Sequence, residues 1–144
     1  MIEAIGMPIG EPPHCAVTGR ARVLAVDDQP AFLAVLRHVV GATRHLQIVG
    51  EVLCGEFAVE AARDLHPDMV LMDVRMPGIG GIGAAELIKS GRPATVVVLI
   101  STMHPDELPE HAVRGVADAV MWKSELEPRL LDEIWLRCCD RRPE

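Results

Sequence analysis

Four stretches of this chain are apolar without interruption: residues 23–26, 69–72, 96–100 and 119–122. A strand with one face in water alternates polar and apolar side chains, whereas an unbroken short run fits a strand buried on both faces. Strands of that kind belong to a parallel sheet with helices packed above and below it. All of them point one way, so the residues that follow their carboxyl ends collect along one rim, where ligands bind. Here those residues are Asp27 and Asp28, Asp73, Ser101 and Lys123. Three carboxylates, a hydroxyl and an ammonium can together handle a phosphoryl group.

Helical spacing fills the gaps between the runs. Pro30 suits a first helical turn, and Phe32, Val35, Leu36 and Val39 then recur at i, i+3, i+4 and i+7 before Gly41. Residues 47–52 read as a second strand. Ala58, Ala61, Ala62 and Leu65 repeat the helical spacing until His66-Pro67 breaks it. A turn through Met76-Pro77-Gly78 leads to a third helix over about residues 82–89, closed by Ser90-Gly91. Gly80, Gly81 and Gly83 predict a weak start for it, since an interior glycine costs about 1 kcal/mol relative to alanine. Pro105 and Pro109 confine the fourth helix, which runs to about Arg114, to a few turns. The last helix opens at Pro128 and turns Leu131, Ile134, Trp135 and Cys138 to the core.

Strands alternating with helices through right-handed crossovers define an α/β fold. The expected form is a doubly wound five-stranded parallel sheet with helices on both faces and the flavodoxin-like order 2-1-3-4-5. In that order the first and third strands adjoin, which brings Asp27, Asp28 and Asp73 together. Clustered carboxylates raise one another's pKa unless a cation intervenes. Mg²⁺ suits such a cluster, because it takes oxygen ligands and binds through one or two carboxylates plus phosphate.

Composition sets the outer limits. At 144 residues, 49% hydrophobic and 24% charged, the chain has room for one compact domain. Residues 1–20 have neither a positive start nor an unbroken apolar stretch, so they read as a flexible leader, not a signal peptide or membrane span. The domain is then expected over 21–144. A net charge of -7 without a basic run argues against direct nucleic-acid binding, which draws its affinity from Lys and Arg on phosphates. Cys15, Cys54, Cys138 and Cys139 show no CxxC spacing and read as reduced thiols of a cytoplasmic protein. The six histidines form no HxxxH or HExxH pattern, and His104 reads as solvated.

Four motifs now stand in order: Asp27-Asp28-Gln29-Pro30, Asp73-Val74-Arg75-Met76-Pro77-Gly78, Ser101-Thr102 and Lys123-Ser124-Glu125-Leu126. Separations of 45 residues from Asp28 to Asp73, 28 to Ser101 and 22 to Lys123 link them. In these motifs the chain resembles the receiver domain of two-component response regulators, most of all the LuxR/NarL type, over about residues 22–138. The resemblance implies that Asp73 is the phosphoacceptor, taking its phosphoryl group from a sensor histidine kinase or a histidine phosphotransfer protein. It implies Mg²⁺ held by Asp28, Asp73, the backbone carbonyl of Arg75 and, partly through water, Asp27. Ser101 and Lys123 would then bind phosphoryl oxygens. A protein of this kind is a switch, not an enzyme, apart from intrinsic autophosphorylation and autodephosphorylation. It is cytoplasmic and signals to a downstream protein or a second copy of itself. The implied face is the fourth helix, fifth strand and fifth helix, carrying Thr102, Val120 and Trp122, without nucleic acid or membrane.

Departures from the family pattern concern output. Val120 stands where most receivers carry a Tyr or Phe that swings inward on activation. Trp122, two residues on and so on the same side of the strand, reads either as an exposed contact or as packing against the last helix. Gly80 and Gly83 stand where acidic residues are common, and with Pro109 they predict a loose output face. A phosphatase of the haloacid-dehalogenase type also uses an aspartate and Mg²⁺, but its DxD motif would fall at Asp27-Asp28-Gln29, which does not match. Two alternatives stay open: a receiver-like module that binds partners without phosphorylation, and the receiver portion of a DNA-binding transcriptional regulator. The stand-alone receiver is the favoured form.

Overall fold

The computed structural model describes residues 19–103, 105–108 and 110–139, so nearly all of the expected leader, and His104 and Pro109, lie outside the described residues. Strands β1 (Ala21–Val26), β2 (Leu46–Val52), β3 (Met69–Asp73), β4 (Val96–Ser101) and β5 (Ala119–Trp122) alternate with helices α1 (Pro30–Gly41), α2 (Gly55–Leu65), α3 (Gly80–Gly91), α4 (Glu110–Arg114) and α5 (Pro128–Cys139). The five strands form one sheet in the order β2-β1-β3-β4-β5, with every pair parallel. This is the expected 2-1-3-4-5 arrangement.

The unbroken apolar runs divide by alternation between two cores. Val23, Ala25, Met69, Leu71, Val98 and Ile100 pack with α1 and α5. Their neighbours Leu24, Val26, Val70, Met72, Val97 and Leu99 pack on the other face with α2 and α3. Both faces of the three central strands are therefore covered, which is why no polar residue interrupts them. Leu36, Leu131 and Trp135 are among the largest fully buried side chains of the first core.

Local chemistry sets several helix ends. At the start of α1 the N-cap is Gln29, which makes no side-chain cap, and Pro30 takes a first-turn position where its missing N–H costs nothing. The Cys54 sulfur accepts from the Phe57 amide and caps α2. Asp132 of α5 accepts from the Arg44 and His45 amides at 2.9 and 3.0 Å, tying the last helix to the turn before β2. Of the expected reduced thiols, Cys54 and Cys138 are in the thiol form. Among the described residues no helix is long and apolar enough to cross a membrane.

The third helix departs from expectation at its start. It opens at Gly80, before the expected 82, through glycines that read as a weakness. Gly80 takes a positive φ of 74°, which favours glycine. A Cβ on Gly81 would sit 2.0 Å from the Asp73 carbonyl oxygen. The Gly81 amide also bonds the Val74 carbonyl at 3.1 Å. The glycines let α3 start directly against the end of β3.

Candidate functional site

The rim gathers Asp27, Asp28 and Asp73. One carboxylate oxygen from each lies within 4.8 Å of the others, with Asp28 the most exposed of the three. Asp27, at 0% exposure, accepts from the Gln29 amide through Oδ1 and from Lys123 Nζ through Oδ2, each at 2.8 Å. Because neither aspartate caps α1, both remain part of the rim cluster. Asp73 closes β3, and its Oδ1 stands 3.4 Å from Lys123 Nζ. The Lys123 ammonium reaches over from the end of β5 and lies 4.1 Å from the centroid of the Phe32 ring in the first turn of α1.

Burial pushes the Asp73 carboxyl up to about 6, and the negative charge of Asp27 adds to that effect while Lys123 opposes it. Burial also works against the Lys123 ammonium, yet its hydrogen bond to Asp27 and the charge of Asp73 outweigh this and raise its pKa. Three carboxylates thus share one protein ammonium. An oxygen-only donor set with an excess of negative charge fits a hard divalent cation.

The flanking residues are placed differently from one another. Ser101 is buried at the end of β4, and its Oγ accepts from the Met103 amide at 2.9 Å. Thr102 is exposed, and its carbonyl accepts from the Trp122 indole Nε1 at 2.9 Å. Trp122 is half-buried at the end of β5, and this hydrogen bond ties it to the loop after β4. Val120 is half-buried against the second core and borders a cavity of about 510 Å³, lined also by Leu108, Val113 and Ala117. The exposed Arg75 side chain donates to Met103 Sδ at 3.1 Å, crossing from the β3–α3 loop to the β4–α4 loop. Sequence reasoning missed Phe32 and Met103. Phe32 carried a signal, a ring in the first turn beside the acidic pair; Met103 carried none, since its contacts depend on the loop's path.

A family model for the response regulator receiver domain matches residues 23–134. The chain belongs to the response regulator receiver family. This receiver domain is 36% identical over 102 residues to the response regulator GacA of Pseudomonas aeruginosa, an alignment covering 71% of the chain and 48% of that protein. The chain spans about half the length of the curated relatives it matches. The response regulator domain of Thermotoga maritima CheB superposes with a TM-score of 0.75 at 30% identity, covering 86% of this chain and 99% of that one. The signal receiver domain of the putative response regulator NarL from Mycobacterium tuberculosis gives 0.76 at 27% identity, with coverage of 86% and 99%. The likeness to LuxR/NarL-type receivers and the flavodoxin-like order both hold.

Proposed function

We propose that this receiver domain is a phosphoacceptor switch of a two-component phosphorelay, with Asp73 as the residue modified. The observation that carries the reading is the Asp73 carboxylate on the rim, facing Lys123 and sharing a pocket with Asp27 and Asp28. An Asp73 oxygen attacks phosphorus, the bond to the donor's histidine nitrogen breaks, and the imidazole leaves with the electron pair and takes up a proton. Lys123 supplies a fixed positive charge for the phosphoryl oxygens, the form of help that phosphoryl transfer needs most. Asp28, Asp27, Asp73 and the Arg75 carbonyl would hold Mg²⁺, which when bound neutralises charge on the carboxylates and the incoming phosphoryl group. Ser101 would leave the Met103 amide to donate to a phosphoryl oxygen. That exchange would shift the loop pinned by Trp122 and bias the face of α4, β5 and α5 toward a downstream protein or a second copy.

Acetyl phosphate with Mg²⁺ tests the reading. By intact mass the wild-type chain should gain one phosphoryl group and Asp73→Asn none. Equal behaviour of the two proteins would sink it.

A further inference from the structure

A cavity of about 320 Å³ opens between the last turns of α2 and α3, on the side where the strands begin and away from the carboxylate rim. Its apolar lining includes the buried Ile88 and the half-buried Val59, with Leu87 at its exposed edge. Its mouth carries Arg63, His66 and Arg92, and no carboxylate lines it. In a chain of net charge -7 this is a local concentration of positive charge. Among the described residues no acidic group pairs with Arg63 or Arg92.

The helix carbonyls do not account for these side chains. The Leu65 and His66 carbonyls accept from the Arg22 guanidinium, and the Ala62 and Ile88 carbonyls accept from the His66 and Arg92 backbone amides. His66 itself is unusual. It ends α2 at φ 49° and ψ 59°, the left-handed conformation that glycine normally supplies, and it is the only such non-glycine among the described residues. Its Nδ1 lies 3.1 Å from an Arg92 guanidinium nitrogen. A guanidinium only donates, so Nδ1 accepts and Nε2 carries the proton. Two guanidinium groups and an imidazole N–H therefore border one apolar hollow, whose volume falls within the range of small-molecule sites, about 300–1,000 Å³.

We propose that this cavity binds a small anion with an apolar body. Arg63, Arg92 and His66 take its carboxylate or phosphate, and Val59, Leu87 and Ile88 take its chain. The site is separate from Asp73 and needs no phosphorylation. Amide chemical shifts of the labelled chain, followed by NMR with hexanoate, 1-hexanol and acetate and no phosphoryl donor, test it. Hexanoate should move the amides of residues 59–66 and 87–92 saturably, with hexanol and acetate weaker by about tenfold or more. Arg63→Glu with Arg92→Glu should weaken hexanoate by a similar factor at unchanged Tm. His66→Gly, which relieves the left-handed position, should hold or raise Tm yet also weaken binding. Equal affinity for hexanol would leave an apolar crevice only, and equal affinity for acetate a charged patch only; either overturns the proposal. So would arginine variants that lower Tm without changing affinity, or shifts confined to other residues.

Discussion

Asp73 shows how a single residue is set up by what surrounds it. Folding raises its pKa from 3.8 to about 6, so the folded chain holds this proton more tightly than the unfolded one. Its contribution to stability is therefore greatest below 3.8 and is lost as pH rises through about 6. Asp73→Asn should raise stability at pH above that range by on the order of 1–2 kcal/mol in the absence of divalent ions. Thermal melts at the two ends of the interval would show it, with the advantage gone at the acid end; no gain on the alkaline side would mean the carboxylate is not strained by burial. Trp122 acts through one donor. Trp122→Phe keeps a ring but removes the N–H from the Thr102 carbonyl, and should cost about 1 kcal/mol. Hydrogen exchange at Met103, whose amide is held by Ser101 in the same loop, should quicken; unchanged exchange would reduce Trp122 to packing.

Helix α3 is the element whose sequence misleads. Helix propensity treats its glycines alike, as about 1 kcal/mol lost at each, but their surroundings separate them. A Cβ on Gly81 would meet the Asp73 carbonyl oxygen at 2.0 Å, whereas one on Gly83 would meet only the Ile79 side chain, at 3.4 Å. Gly81→Ala should therefore destabilise by about 1–3 kcal/mol, the usual scale of overpacking, and slow labelling of Asp73 by displacing its backbone. Gly83→Ala should be neutral or stabilising by up to about 1 kcal/mol. Urea denaturation of the two variants separates a steric requirement from a propensity; similar losses at both would leave only the propensity. In α4 the sequence was legible, since the helix that Pro105 and Pro109 should confine is regular over only five residues, Glu110–Arg114.

For the whole molecule, cation binding and stability are linked. An ion that binds only the folded chain stabilises it by about 2.7 kcal/mol at a hundred times its dissociation constant. Saturating Mg²⁺ should thus raise Tm by several degrees, an effect reversed by chelation and much reduced in Asp28→Asn. Calorimetry in which that variant responds as the wild type does would remove Asp28 from the metal set. The acidic rim and the basic cavity lie at opposite ends of the strands, so this linkage should be unaffected by Arg63→Glu.

The sequence by itself determined the layered architecture, the strand order and the rim residues. Apolar runs must be covered on both faces, right-handed crossovers limit how the strands can be ordered, and residues after parallel strands have nowhere to go but one edge. Only the tertiary structure decided the rest. Phe32 meets Lys123, Trp122 pins Thr102, Gly81 abuts Asp73, and Arg63, His66 and Arg92 share one cavity. Each of these depends on a distance between different elements, and such distances are set by packing, which no local pattern of residues records.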